Sequence, residues 1–166
     1  SLNGDHPRLI IPFFDKENVF FGYQGRAFGK ENPKYITIML KEKNKIFGLD
    51  RINSNQHIFV VEGPIDSLFL DNCLAVAGAD FKLDMDEKDY TVIYDNEPRN
   101  VEIIKRMEKS IEQNQSIVIW PDNIEEKDIN DMILSGKTSV EIHRIISKNT
   151  FSNLHAKTRL INWKKI

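Results

Sequence analysis

The chain has 166 residues, of which 40% are hydrophobic and 29% are charged, and this composition fits one soluble domain with or without an appendage. No apolar run is long enough to cross a bilayer and no signal-peptide pattern is visible, so we expect no membrane partner. Cys73 is the single cysteine, which excludes an internal disulfide framework and a zinc ribbon and favours a reducing, cytoplasmic setting.

The net charge of −2 conceals an uneven distribution along the chain. Residues 1–60 carry a net charge of +3, residues 61–131 carry −11, and residues 132–166 carry +6. One interpretation is an ordinary solvated surface. The other is an acidic metal site bordered by basic surfaces that contact phosphates.

The first part of the chain predicts antiparallel strands. The stretches RLIIPFF at 8–14 and VFFGYQ at 19–24 are rich in β-branched and aromatic residues and flank a polar turn at 15–18, which predicts a hairpin. A further strand is predicted at 36–40, ITIML. No helical period appears before about residue 55, so this part is expected to be β-rich.

From residue 58 onward the pattern alternates between strands and helices, which predicts a parallel sheet with right-handed crossovers. The predicted strands are 58–62, 74–78, 91–95 and 116–120. The predicted helices are 64–72, 98–113 with Pro98 as its first residue, 128–134 closed by Gly136, and 139–147. The last stretch, RLINWKKI at 159–166, predicts either a final strand or an ordered basic tail.

Two of the predicted strands end in acidic side chains. Glu62 ends the apolar run of 58–62, and Asp95 and Glu97 follow the run TVIY. Ligands bind at the carboxyl edge of open α/β sheets, and residues two apart in an extended segment face the same way. A single acid at a strand end is explained as well by a cap or a solvated loop. The three together predict a site for Mg²⁺, which prefers carboxylate oxygens.

The strings VVEGPID, YDNE and KDIND, in this order, resemble the Toprim domain, a metal-binding fold shared by bacterial-type primases, topoisomerases and some nucleases. The usual second motif is Asp-x-Asp, and here its last member is Glu97. Asp128 of the third string also suits an N-cap with Asp131 three residues later. The matched acids are Glu62, Asp66, Asp95, Glu97 and Asp128.

The stretch RLIIPFFDKENVFFGYQGRAFGKENPKYI is similar to the catalytic core that precedes Toprim in DnaG-type primases. Arg26 and Lys34 match the basic residues of that core, and KIFGLD at 45–50 resembles the segment that joins it to Toprim. The strings DNEPRN and INWKKI are most similar to primases of T-even-type tailed phages. The resemblance implies an α/β Toprim domain, with a central parallel sheet flanked by helices, after a small β-rich subdomain with an antiparallel hairpin.

The same resemblance implies a division of the chain and a function. Residues 1–55 would be an incomplete β-rich part of the polymerase core, 56–136 the Toprim domain, and 137–166 a C-terminal helix and basic tail packed on it. The chain would be a catalytic fragment of a DNA primase, without the zinc module that reads the template. Such an enzyme is a DNA-dependent RNA polymerase that makes short primers on single-stranded DNA, and its setting would be the host cytoplasm if a phage encodes it.

The implied site follows residue by residue from the family pattern. The expected cofactor is Mg²⁺, with Mn²⁺ as a substitute, and the expected partners are single-stranded DNA, ribonucleoside triphosphates and a replicative helicase. A Toprim-type nuclease and a non-catalytic helicase- or DNA-docking module remain alternatives. A topoisomerase is disfavoured, because no candidate nucleophilic tyrosine in this sequence has a separate domain to carry it. The expected catalytic residues are Glu62, Asp95 and Glu97, with Asp128 as a further metal ligand, and the expected nucleotide or template contacts are Arg26, Lys34, Asp66 and Lys127.

Overall fold

A computed structural model describes residues 6–76 and 90–166 of the chain. Its first unit is a three-stranded antiparallel sheet of β1 (Arg8–Phe14), β2 (Phe20–Ala27) and β3 (Tyr35–Met39), in that order. Leu9 pairs with Arg26, and Arg26 pairs in turn with Tyr35. The predicted hairpin is confirmed, and the third strand extends it.

The second unit is a six-stranded mixed sheet, and it confirms the predicted fold class. Its strands are β4 (Ile46–Phe47), β5 (Ile58–Val61), β6 (Cys73–Val76), β7 (Tyr90–Val92), β8 (Ser116–Val118) and β9 (Thr150–Phe151). The order across the sheet is β4-β6-β5-β7-β8-β9. The four central strands run parallel, and the two short edge strands run antiparallel to their neighbours.

Helices cover both faces of this sheet. The helices are α1 (Pro64–Ser67), α2 (Val101–Glu112), α3 (Ile129–Leu134), α4 (Ser139–Lys148) and α5 (Asn153–Trp163). One apolar cluster joins the sheet to α2 and α5 through side chains such as Met107 and Leu160, and a second joins it to α3 and α4 through Met132 and Ile146. The central strands are therefore buried on both faces, as their unbroken apolar runs predict.

The two sheets are joined by a third, smaller apolar cluster. Phe13 and Phe21 are fully buried, and the side chains of Phe47, Leu49 and Ile65 pack against them from the second unit. Phe13 and Phe47 stack at a ring-centroid distance of 6.3 Å. Because Ile65 belongs to α1, directly after Glu62, this cluster fixes the antiparallel sheet beside the carboxyl edge of β5.

Two helices are shorter than the sequence predicts. The helix expected at 64–72 ends at Ser67, and the chain turns back through Asn72, which has a left-handed backbone conformation with φ of 49°. The helix expected at 98–113 begins at Val101 because Asn100 is its N-cap and accepts hydrogen bonds from the backbone N–H groups of the first turn. Pro98 therefore lies before the helix.

The C-terminal prediction of a strand or a basic tail is wrong for most of its length, because α5 continues to Trp163. Ala156, Leu160 and Trp163 recur at helical spacing and are all buried against the sheet and α2. Positions 77 and 78 of the predicted strand 74–78 lie outside the described residues. No helix in the described ranges is long and apolar enough to cross a membrane.

Candidate active site

Glu62 lies directly after β5, one of the two innermost strands of the large sheet, where Gly63 and Pro64 begin the turn into α1. Its carboxylate forms an ion pair with the guanidinium of Arg106 on α2. Burial raises the pKa of Glu62 to about 7, although Arg106 opposes this rise, and the nearby charges of Asp95 and Glu97 add to it. The site therefore concentrates negative charge in a partly dehydrated place.

Asp95 and Glu97 follow the neighbouring parallel strand, β7, and they face the same cation. The ammonium of Lys127 lies 3.6 Å from Asp95 Oδ2 and 3.4 Å from Glu97 Oε2. Burial raises the pKa of Asp95, and the charge of Lys127 opposes that rise. The sequence prediction that these two carboxylates point the same way is consistent with this geometry.

Asp66 and Asp128 add two carboxylates to those of Glu62, Asp95 and Glu97, and we call these five residues the acidic edge. Asp66 Oδ1 accepts a 2.8 Å hydrogen bond from the backbone N–H of Asn130, and Asp128 Oδ1 accepts one of 2.7 Å from the backbone N–H of Asp131. Asp128 is thus the N-cap of α3, as one of the two interpretations of this residue predicts. Burial raises the pKa of Asp66 to about 6, against the Asn130 hydrogen bond, and the charges of Asp128 and Asp95 raise it further.

Gly63 is required here by a close approach rather than by its backbone dihedrals, because its φ of −99° is available to any residue. A Cβ at position 63 would overlap Oδ2 of Asp66. The other oxygen of that carboxylate is already bonded to the Asn130 N–H, so the side chain has little freedom to move away. The absence of a side chain at Gly63 therefore leaves room for the carboxylate of Asp66.

Basic and aromatic side chains from the antiparallel sheet approach the same acids. The guanidinium of Arg26 lies 5.9 Å from the centroid of the Tyr35 ring, and the ammonium of Lys34 lies 5.7 Å from it. Burial raises the pKa of Tyr35, Arg26 opposes the rise, and the charges of Asp66, Asp128 and Asp95 add to it. Tyr35 thus contacts the two basic residues and is also within electrostatic reach of the three acids.

The sequence predictions missed three side chains that shape the site. Arg106 pairs with Glu62, Tyr35 contacts Arg26 and Lys34, and Asn96 is hydrogen-bonded to the segment that carries Lys127. Only Tyr35 had a signal, since it belongs to the Pro-Lys-Tyr string quoted for the family resemblance. Arg106 and Asn96 acquire their roles from contacts across the fold, and no local pattern announces them.

The donor set of the edge fits Mg²⁺. Within residues 6–76 and 90–166, no three carboxylate, imidazole or thiol groups lie close enough together to hold an ion between them. Asp95 and Glu97 nevertheless present carboxylates to a single cation, Lys127. Mg²⁺ is commonly held by one or two carboxylates together with substrate phosphates and water, so two such groups suffice for it.

The known proteins that are similar to this chain are DNA primases. No family model matches the chain. The DNA primase of Enterobacteria phage T4 is 39% identical to it in an alignment that covers 96% of this chain. The chain is a homologue of phage T4 DNA primase. It spans 48% of that primase, about half of its length.

Solved primase structures share the fold at low sequence identity. The catalytic domain of the DnaG primase bound to single-stranded DNA aligns with a TM-score of 0.67 and 17% identity, covering 94% of this chain and 55% of that chain. The primase domains of bacteriophage T7, in a complex with an RNA/DNA hybrid, align with a TM-score of 0.60 and 17% identity, covering 84% and 76%. Both likenesses concern the architecture described above.

Proposed function

We propose that this chain is the catalytic part of a DNA primase, a DNA-dependent RNA polymerase that makes short RNA primers on single-stranded DNA. The observation that carries the proposal is that Tyr35 has the cations of Arg26 and Lys34 beside its ring and also feels the charges of Asp66, Asp128 and Asp95. Nucleotidyl transfer needs cations beside acids at the reacting phosphate and positive charge along the remaining phosphates. The homology to the phage T4 primase supports the same reaction.

In this proposal Asp95 and Glu97 hold the divalent cation, and Glu62 and Asp128 contribute carboxylates on either side. When bound, Mg²⁺ would stabilise charge on the attacking hydroxyl and the departing pyrophosphate, and Mn²⁺ would substitute for it. The raised pKa of Glu62, about 7, equips this carboxylate to accept a proton from the primer hydroxyl near neutral pH. Arg106 keeps the Glu62 side chain directed at the edge.

The basic residues hold phosphates. Arg26 presents a planar guanidinium, the geometry suited to bidentate phosphate contacts, and Lys34 adds a compact ammonium charge beside the same Tyr35 ring. Lys127, whose side chain is 52% exposed, lies where a nucleotide phosphate would approach the acids. Asp66 orients the start of α3 through Asn130 and so supports the nucleotide-binding edge.

The partners follow from the same reaction. Single-stranded DNA and ribonucleoside triphosphates would be the template and substrates, a replicative helicase would deliver the template, and the host cytoplasm would be the setting. The solved relatives bound to single-stranded DNA and to an RNA/DNA hybrid support the nucleic-acid partners. We assign residues 1–55 to the polymerase core, 56–136 to Toprim and 137–166 to a C-terminal unit packed on it.

The experiment is template-directed incorporation of labelled ribonucleotides on single-stranded DNA with Mg²⁺ or Mn²⁺. The chain is assayed alone and in place of the matching segment of the phage T4 primase, so that regions outside it are supplied. The proposal expects oligoribonucleotide products from the chimaera. A parallel assay for nicking of plasmid DNA tests the nuclease alternative, and cutting without any ribonucleotide product would replace the proposed function.

A further inference from the structure

Asn96 separates the two acids that face Lys127, and its own polar groups are directed into the protein. Its backbone N–H and its side-chain Nδ2 both donate to the segment that precedes α3, so one residue ties two loops together. The acceptors are the carbonyl oxygens of Ile124 (2.8 Å), Glu126 (3.1 Å) and Lys127 (2.6 Å).

The remaining polar group of Asn96 is held from the C-terminal helix. Trp163, whose side chain is buried at the end of α5, donates from Nε1 to Asn96 Oδ1 at 3.3 Å. Two residues later the backbone N–H of Lys165 donates to the carbonyl of Pro98 at 2.8 Å. The loop that carries the acids is thus fixed on one side by the segment at 124–127 and on the other by the end of α5.

These contacts join the two loops that carry the charged residues of the site. One loop supplies Asp95 and Glu97, and the other supplies Lys127 and Asp128. We propose that Asn96 is a positioning residue that sets the spacing between the two loops and thereby the affinity of the acidic edge for a divalent cation. The inference rests on the proposed function, because it assumes that the edge binds such a cation.

A matched comparison exists within the same fold. Asn72 also uses one side chain to hold a loop, donating from Nδ2 to the carbonyls of Asn53, Gln56 and His57 and accepting from the Asn53 N–H at 2.8 Å. Asn72 precedes β6 and therefore lies at the amino edge of the parallel strands, opposite the acids. Its alanine variant loses hydrogen bonds and a favourable left-handed residue, so it measures destabilisation without disturbing the site.

The test is a Mg²⁺ titration of the melting temperature of the wild type, Asn96→Ala, Asn72→Ala and Trp163→Phe. Replacing residues that orient metal ligands typically weakens metal binding by 10-fold or more. We expect Asn96→Ala to raise the half-saturating Mg²⁺ concentration by about 10-fold, while Asn72→Ala melts at a lower temperature but keeps the wild-type midpoint. Trp163→Phe keeps an aromatic ring, although a smaller one, at the buried position and removes the Nε1–H donor, so it should fold and shift the midpoint by about 2- to 3-fold.

Each outcome bears on the inference. Unchanged midpoints in Asn96→Ala and Trp163→Phe, beside a wild type that responds to Mg²⁺, would overturn the role of Asn96 and leave the proposed function standing. An equal shift in Asn72→Ala would overturn it too, since general destabilisation would then explain the effect. If Asn96→Ala does not fold, Trp163→Phe alone decides. A wild type with no response to Mg²⁺ at all would overturn both the inference and the metal site beneath it.

Discussion

Replacing Glu62 with glutamine removes a carboxyl group that the folded protein protonates more readily than the unfolded chain does. Burial raises its pKa from 4.5 to about 7, so the folded state binds more protons between these two values. The free energy of unfolding must therefore fall as the pH rises through this window, and the loss is complete above the folded pKa. In Glu62→Gln this contribution is absent.

The magnitude follows from the shift. One pKa unit corresponds to about 1.4 kcal/mol, so the step from 4.5 to about 7 is worth roughly 3 kcal/mol between pH 4.5 and pH 8. The Glu62 side chain is 25% exposed, and solvent relaxation makes this figure an upper estimate. Asp66 contributes in the same direction at lower pH, because its pKa rises from 3.8 to about 6 in the folded state. The difference between the pH dependence of the unfolding free energy of the wild type and that of Glu62→Gln isolates the contribution of Glu62.

The assay is urea denaturation in EDTA at several values between about pH 5 and pH 8, followed by the fluorescence of the buried Trp120 and Trp163. We expect the free energy of unfolding of the wild type to fall by about 2–3 kcal/mol more than that of Glu62→Gln as the pH rises across this range. Glu108→Gln is the control, because Glu108 is half-exposed and pairs with Lys164 at 3.3 Å away from the site. Parallel pH profiles for wild type and Glu62→Gln would refute the reasoning that burial governs this carboxyl group.

Two further predictions concern the basic side chains. Arg26→Ala should weaken binding of nucleotide or single-stranded DNA by about 10-fold and lower the rate of primer synthesis, since it removes charge-assisted phosphate contacts. An equal loss of binding in Arg144→Ala, which removes an exposed arginine, would contradict this prediction. Lys127→Met should lower the half-saturating Mg²⁺ concentration in a thermal titration by about 5-fold. The reason is that two partly solvated ion pairs, worth up to about 1 kcal/mol each, no longer compete with the metal. Lys105→Met, which breaks the exposed pair with Glu102, should leave that midpoint unchanged, and a higher midpoint in Lys127→Met would argue against the competition.

Much of the fold is legible in the sequence because strand and helix periods are local properties. The apolar run from Ile58 to Val61 and the Gly-Pro stop after Glu62 specify a buried strand and its turn, and the structure confirms both. The helix at the C-terminus was missed although Ala156, Leu160 and Trp163 are spaced helically, because the basic residues between them mask the apolar face. Helix ends depend on caps such as Asn100 and on turns such as Asn72, which act through contacts beyond the local period.

The candidate site, like the fold, could be predicted from the sequence only in part. The acids at strand ends could be predicted because parallel strands carry their carboxyl ends to one edge, and this brings Glu62 near Asp95 and Glu97. Their ion pairs could not be predicted, because Arg106 and Lys127 reach the acids from distant parts of the chain, and Lys127 was expected only as a nucleotide or template contact. The contact of Asn96 with Trp163, 67 residues away, is likewise invisible before the chain is folded.

Whether the acidic edge catalyses primer synthesis is tested most directly by measuring the activity of Asp95→Asn. Asp95→Asn and Asp71→Asn are placed in the phage T4 chimaera and assayed for ribonucleotide incorporation and for single-stranded DNA binding, with Asp71 as the control because its side chain is fully exposed. We expect Asp95→Asn to abolish primer synthesis and to leave DNA binding nearly intact, because the substitution removes a metal ligand and no phosphate contact. Asp71→Asn should behave as the wild type in both assays. Undiminished primer synthesis by Asp95→Asn would contradict the account.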